Sequence, residues 1–165
     1  MVPYEVSGKS TTQVQVSYQG NLSNSVAEPV AGMVPSVFTA NSSGSGQGAI
    51  INEDGTVNSA SNPAALGSIV SVYGTGEGQT NPSGVDGNLD VAAPLPPQPV
   101  TQPVTSTVGG VAATVEYAGG VSGLVAGVLQ VNIQIPEGIP TGSAVPIVLT
   151  IGGTTSQANV TVALH

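Results

Sequence analysis

Residues 128–135 read VLQVNIQI, and from the second residue of this stretch onward an apolar side chain occupies every other position. Residues 145–151 (VPIVLTI) repeat the same pattern, and residues 160–162 (VTV) continue it further along the chain. Period-two alternation rich in β-branched residues is typical of strands that bury one face. Helical periodicity is almost absent from the chain. The sequence therefore predicts an all-β fold.

Turn-forming dipeptides separate these apolar runs. Asp54-Gly55 follows one run, and the pairs at 109–110 and 152–153, both Gly-Gly, separate later ones. Such dipeptides supply the positive φ angles that tight hairpins need. Short strands with regularly spaced turns are typical of a β-sandwich or barrel. We expect one such domain to span residues 34–165.

The alternation stops between residues 75 and 103. This stretch is acidic in its first half and rich in proline in its second half. Proline cannot donate a hydrogen bond to a central strand ladder, so the stretch is expected to be a long crossover with a polyproline-like second half. A loop of this length in a compact domain is usually functional or disordered.

The first 33 residues resemble a second copy of the end of the chain. VPYEVSG at 2–8 and VQVSY at 14–18 correspond to IPEGIP at 135–140 and IVLTI at 147–151. Residues 1–33 are therefore predicted to form a β-hairpin that is either the remnant of an upstream sandwich or a pair of strands donated to its own sandwich or to a neighbouring molecule, because two strands are marginal alone. The apolar residues of this assembly hairpin are Val14, Val16, Tyr18 and Val26.

The charge balance excludes several classes of partner. Nine acidic residues, one lysine (Lys9) and no arginine give a net charge of −8. Nucleic acid and anionic membrane surfaces are held mainly by Lys and Arg, so neither is an expected partner. No apolar run approaches the ~18 residues that would span a bilayer, so membrane insertion is not expected. Lys9, which is flanked by Ser and Gly, is expected to lie in an exposed turn.

Four longer stretches carry a family resemblance. They are GQGAIINEDGTVN at 46–58, GSIVSVYGTG at 67–76, VGGVAATVEYAG at 108–119 and GLVAGVLQVN at 123–132. Together they resemble the Solibacter-type uncharacterised C-terminal domain of large secreted acidobacterial proteins, and the VGGV hairpin is similar to the IPT/TIG branch of immunoglobulin-like domains. The resemblance implies export and an immunoglobulin-like β-sandwich, and it brings no catalytic residues. Family members usually carry the preceding half-domain complete, so the resemblance implies that residues 1–33 are a truncated copy of it.

Residues suited to catalysis are scarce. The chain has no cysteine, and its only imidazole is on the terminal His165, where a base beside a nucleophile is not expected. The acidic residues are spread over turns and loops, which favours solvated charge over a pair of catalytic carboxylates. We therefore expect a protein that is not an enzyme.

Calcium is the only candidate cofactor, because Asp, Glu and Asn side chains supply the hard oxygens that this ion prefers. One candidate group crosses the turn after residue 51, where ordinary hairpin chemistry is the competing and preferred explanation. The other shares the long crossover. The candidate metal ligands are Asn52, Asp54, Asn58, Glu77, Asp86 and Asp90.

The few aromatic residues are expected to be packed rather than displayed for stacking on sugars. The alternation places Tyr18, Tyr73 and Tyr117 towards a core or sheet seam, and Pro35 and Phe38 are expected to pack the first strand of the second domain.

Together these observations predict a structural module of a secreted or cell-surface bacterial protein that serves in anchoring, spacing or self-assembly. Its partners would be copies of itself, neighbouring domains of the same protein, or the cell envelope or polysaccharide. The alternative is a module that binds polysaccharide or calcium on the loop at 75–103.

Overall fold

The computed structural model describes residues 2–90 and 99–165. Within them the chain forms one 3-10 turn (Tyr4–Val6) and fourteen strands. The strands are β1 (Thr11–Val14), β2 (Ser17–Tyr18), β3 (Asn21–Leu22), β4 (Val26–Pro29), β5 (Ser36–Val37), β6 (Gly46–Gln47), β7 (Ile50–Ile51), β8 (Ile69–Thr75), β9 (Val104–Val108), β10 (Val111–Gly120), β11 (Leu129–Gln134), β12 (Gly142–Ile151), β13 (Thr154–Thr155) and β14 (Val160–Leu164).

Ten of these strands belong to one continuous ladder in the order β5-β8-β11-β10-β9-β12-β14-β6, with β7 beside β8 and β13 beside β12. Strand β10 joins the two halves of the ladder: its residues 114–120 pair with β11, and its residues 111–113 pair with β9. The two halves pack on a shared core that draws on both, including Val131 from one and Ile147 from the other. The all-β sandwich predicted from the sequence is confirmed.

The alternating runs form the central strands of this sandwich. In β11, Leu129, Val131 and Ile133 are fully buried, and the residues between them are only partly buried. Strand β12 alternates in the same way from residue 145 to residue 151. Period-two patterning therefore located the strands and identified their buried faces.

The glycine turns also match the prediction. Gly109 and Gly110 join β9 to β10 with φ angles of 59° and 80°, and Gly152 and Gly153 join β12 to β13 with φ angles of 54° and 88°. Two consecutive positive φ angles are the requirement of the two-residue hairpin turn whose twist matches its strands.

The N-terminal hairpin stands outside the ladder. Strands β1 and β4 pair antiparallel from Thr11 opposite Pro29 to Val14 opposite Val26, and β2 and β3 form a second short pair at the hairpin tip. Among the described residues, neither pair forms bridges with the ten-stranded ladder. The two copies of the sequence repeat differ in structure. The C-terminal copy includes the ten-residue β12, whereas the N-terminal copy forms strands of four and two residues.

Two expectations about aromatic packing are wrong. Tyr18 is 70% exposed, because the described residues place no second layer over its face of the hairpin. Phe38 is 41% exposed. The neighbouring Val37 fills the core instead, because adjacent residues of an extended chain point in opposite directions. Pro35 is buried as expected, and Tyr73 and Tyr117 are partly buried.

The long crossover is described over residues 75–90 and 99–103. The prediction of a polyproline-like second half falls mostly on residues 91–98, which lie outside the described residues. In the part of the chain that is described, no helix is long and apolar enough to cross a membrane.

Candidate functional site

The N-terminal hairpin displays apolar side chains rather than burying them. Val14, Val16, Tyr18 and Val26 are 48%, 61%, 70% and 45% exposed, respectively, and the neighbouring Leu22 is 68% exposed. These residues come from both strands of the hairpin and from its tip. The structure therefore brings the four predicted assembly residues onto one projecting element, where their side chains are accessible.

Two glycines hold the linker of the hairpin against the sandwich. The Val34 N–H donates to the carbonyl of Gly76 at 2.9 Å, directly after β8. A Cβ atom at Gly76 would overlap the carbonyl oxygen of Val34, and one at Gly78 would overlap the carbonyl oxygen of Gly32. Both glycines have positive φ angles, of 81° and 76°. Glycine lacks a Cβ atom and adopts positive φ angles without strain, so residues 32–34 and 76–78 can lie this close together.

Tyr4 ties the start of the chain to the long crossover. Its backbone N–H donates to Asp86 Oδ1 at 3.0 Å, and its carbonyl accepts a hydrogen bond from Gln79 Nε2 at 3.4 Å. Its ring lies directly against Gly84, where no side chain could be accommodated. Burial, together with the nearby carboxyls of Glu77, Asp90 and Asp86, raises the pKa of the Tyr4 phenol to about 12.

Two of the crossover carboxyls at this corner are buried. Glu77 is 3% exposed and Asp90 is 6% exposed, so the expectation that these acids are solvated loop charges is wrong for both. Burial raises the pKa of Glu77, and the charge of Asp90 raises it further, while hydrogen bonds from its own backbone and from Tyr4 partly offset the rise. Burial also raises the pKa of Asp90. The cause in each case is the cost of holding a charge away from water.

Tyr117 completes this corner from the sandwich side. Its phenol donates to the carbonyl oxygen of Gly120 at 2.7 Å near the end of β10. Burial and the charge of Asp90 raise the pKa of this phenol to about 12. Asp90 itself packs against Gly120, where a Cβ atom would overlap its carboxylate. The corner is thus a packed meeting point of the N-terminal segment, the crossover and β10.

The other candidate metal group is used in structural hydrogen bonds. Asp54 Oδ1 accepts hydrogen bonds from the Thr56 N–H at 2.9 Å and its hydroxyl at 2.6 Å, and these bonds lower the pKa of Asp54. The buried Asn58 makes four side-chain hydrogen bonds, all at 2.9 Å: its Oδ1 accepts from Ala163 N and Gln47 Nε2, and its Nδ2 donates to Ala163 O and Asn52 Oδ1. These hydrogen bonds are those expected if Asp54 and Asn58 serve the hairpin turn rather than a metal ion.

The six candidate metal ligands therefore lie in two separate places. Glu77, Asp86 and Asp90 surround Tyr4, whereas the other three serve the turn after β7. Within residues 2–90 and 99–165, no group of three or more His, Cys, Asp or Glu is arranged to hold a metal ion.

A cleft of about 700 Å³ separates the root of the hairpin from the sandwich. One wall is formed by residues 2–4, 6–10 and 30–34, and the other by Phe38 and residues 75–79 and 125–128. Sequence reasoning missed both this cleft and the Tyr4 corner. The only signal was the pair Gly76 and Gly78 directly after an apolar strand. Such glycines indicate that another backbone segment approaches closely, but they do not identify that segment.

Comparison with known proteins identified no relative: no family model, no curated protein and no solved structure matches the chain.

Proposed function

We propose that this chain is a non-catalytic structural module that assembles with copies of itself through its N-terminal hairpin. The exposed apolar hairpin is the observation that carries this proposal. An isolated two-stranded hairpin is marginally stable in water, and apolar residues on both of its strands favour a partner that covers them.

The lengths of the free strands favour pairing between two hairpins. The terminal strands of the ten-stranded ladder, β5 and β6, have two residues each, and short edge strands of this kind resist the addition of further strands. Strands β1 and β4 have four residues each and pair only with each other among the described residues. Strand β4 ends at Pro29, which cannot donate to a new ladder. The outer edge of β1 is thus the better site for strand addition.

Pairing of β1 with the β1 of a second copy would produce a four-stranded sheet in the order β4-β1-β1-β4. Such an antiparallel contact uses the same surface on both partners, so it closes into a twofold dimer. The dimer would pair the free backbone edge of each β1, give its side chains cross-strand neighbours, and leave the two sandwiches at opposite ends. A spacer or anchor built in this way gains avidity from two copies without needing a catalytic site.

We also propose that the module acts outside the cell, in a secreted or cell-surface protein. This part of the proposal rests on the sequence resemblance described above and on a surface rich in Ser, Thr, Asn and Gln rather than charge: charged residues are only 6% of the chain. The alternative, a module that binds polysaccharide or calcium on the loop at 75–103, is tested separately by glycan binding and by the effect of Ca²⁺ on melting.

Light scattering coupled to size-exclusion chromatography, over a series of protein concentrations, tests the assembly. We expect the mass to rise from that of one 16.1 kDa chain to that of two. A single-chain mass at every concentration would overturn the proposal.

Conservative variants identify the surface involved. Replacing Val14, Val16 and Val26 by Thr keeps β-branched residues, and therefore strand propensity, while it removes apolar surface. We expect this triple variant to dimerise at least tenfold more weakly. The matched control is Val57→Thr, at an exposed valine outside the hairpin. Equal dimerisation of the triple variant and the control would show that the hairpin is not the contact.

A further inference from the structure

The cleft between the hairpin root and the sandwich has the size and chemistry of a small-molecule site. Its volume of about 700 Å³ lies within the ~300–1,000 Å³ typical of ligand pockets. Its apolar lining comes from both walls and includes Val6, Val30, Met33, Phe38 and Val128. Cavities of this kind bind ligands mainly by covering apolar surface, and a few polar groups fix the orientation.

The polar groups of the cleft point to the charge of the ligand. Lys9, the only lysine in a chain without arginine, lines the cleft. Its position is fixed by a tight turn: the Lys9 N–H donates to the carbonyl of Val6 at 3.1 Å, and Gly8 takes a φ angle of 76°. The backbone that carries the single full positive side-chain charge of an otherwise acidic protein is therefore held beside this apolar cleft.

One acidic side chain shares the cleft with Lys9. Glu77 also lines the cleft, but its carboxyl is buried towards Tyr4, and burial raises its pKa. Burial disfavours the charged form of this carboxyl. The net charge of −8 disfavours anion binding on the rest of the protein surface, so a negative head group is best placed beside Lys9.

We propose that this cleft binds an aliphatic monocarboxylate, with its carboxylate paired to Lys9 and its hydrocarbon chain between the hairpin root and the sandwich. The site is separate from the exposed hairpin surface and goes beyond assembly. Either property can therefore fail without the other.

Isothermal titration of the full chain with sodium decanoate, below its micelle concentration, tests the site. Decyltrimethylammonium, which has the same chain length and the opposite charge, is the comparison ligand. We expect one decanoate to bind per chain, and the cation to bind at least tenfold more weakly. Absence of saturable decanoate binding up to ~1 mM, the range of a very weak complex, would overturn the proposal. Equal or tighter binding of the cation would overturn it as well.

Two pairs of variants test the head group and the apolar wall. Lys9→Gln should weaken decanoate binding about 3- to 5-fold, the range of an exposed ion pair. Ser61→Glu, which makes the net charge more negative by the same single unit on an exposed turn outside the cleft, should leave binding unchanged. Phe38→Ala should weaken binding about 5-fold, whereas Val111→Ala, at an exposed valine outside the cleft, should not. Equal affinity within either pair would contradict the assigned contact.

Discussion

Replacement of Asn58 by alanine should destabilise the fold more than any other single change at the turn after β7. The side chain connects this turn to Ala163 in β14, a residue 105 positions away in sequence, through two of its four hydrogen bonds. The Ala163 carbonyl keeps a second donor, Ala64 N at 2.9 Å, whereas the Ala163 N–H has Asn58 Oδ1 as its acceptor. The variant therefore leaves one buried N–H without a partner.

The expected loss follows from these contacts. An unsatisfied buried N–H costs ~1–3 kcal/mol, and each further hydrogen bond lost costs ~0.5–1.5 kcal/mol unless its partner reaches water. Gln47 and Asn52 are only partly buried and can find other partners. A total loss of about 3 kcal/mol in the free energy of unfolding results, and for a domain of this size it lowers the melting midpoint by about 6–12 °C.

Urea unfolding followed by far-ultraviolet circular dichroism measures this loss. Asn21→Ala is the control, because Asn21 is exposed and makes one long side-chain hydrogen bond, of 3.5 Å, to Gln19. It should change stability by less than about 0.5 kcal/mol. Asn58→Asp separates hydrogen bonding from side-chain volume, because a carboxylate of the same size would face the oxygens of Ala163 and Asn52 without a proton to donate. A loss below about 1 kcal/mol for both Asn58 variants would refute the reasoning.

Three further predictions concern the corner around Tyr4 and the linker. The raised pKa values of Glu77 and Asp90 mean that the folded state holds protons that the unfolded state has released above a pH of about 4. The contribution of these two groups to stability should therefore be greatest at or below that pH and fall as pH rises through the raised values. Glu77→Gln should therefore be more stable than the parent chain at pH 7 and nearly equal to it at pH 4 in thermal melts; a loss of stability at pH 7 would contradict this sign. Addition of Ca²⁺ should leave the melting midpoint unchanged relative to EDTA, because Asp54 and Asn58 are occupied in hydrogen bonds and no three carboxyls of the described residues are grouped as metal ligands would be. A rise in the midpoint would support the calcium alternative. Gly76→Ala should cost at least about 1–2 kcal/mol in chemical denaturation because of its positive φ angle alone, with a further cost from overlap with Val34, whereas Gly87→Ala, also at positive φ but in open space, should cost only the first part.

Local patterning was sufficient to predict the sandwich. The buried residues of β11 alternate because a strand presents successive side chains to opposite faces, and this property is visible in a single stretch of sequence. The Gly-Gly turns were equally predictable, since few other residues adopt two consecutive positive φ angles. Both inferences depend on residues close together in the chain.

The Tyr4 corner could not be predicted in this way. Glu77 is buried because the crossover folds back under Tyr4, which lies 73 positions earlier in the sequence, and nothing in the residues next to Glu77 indicates this cover. The exposure of Tyr18 is the opposite case. Its alternating neighbours suggested a buried face, but alternation shows only that a strand has two different faces. Whether one of them is covered depends on a second layer.

The scarcity of charge also determines how distant segments are held together. With one lysine and no arginine, the chain offers few partners to its carboxylates, and neutral amide side chains join distant segments. Gln157 illustrates this: its Oε1 accepts from the Val37 N–H at 3.0 Å and its Nε2 donates to the Val37 carbonyl at 2.6 Å, so the side chain pairs with β5 as a neighbouring strand would. Asn58 pairs with Ala163 by the same pattern. Such neutral hydrogen bonds neither titrate nor weaken in salt, whereas interactions between exposed charges are screened over ~10 Å at 0.1 M salt. The sandwich should therefore respond little to ionic strength, and its dependence on pH below neutrality should arise chiefly at the buried carboxyls around Tyr4.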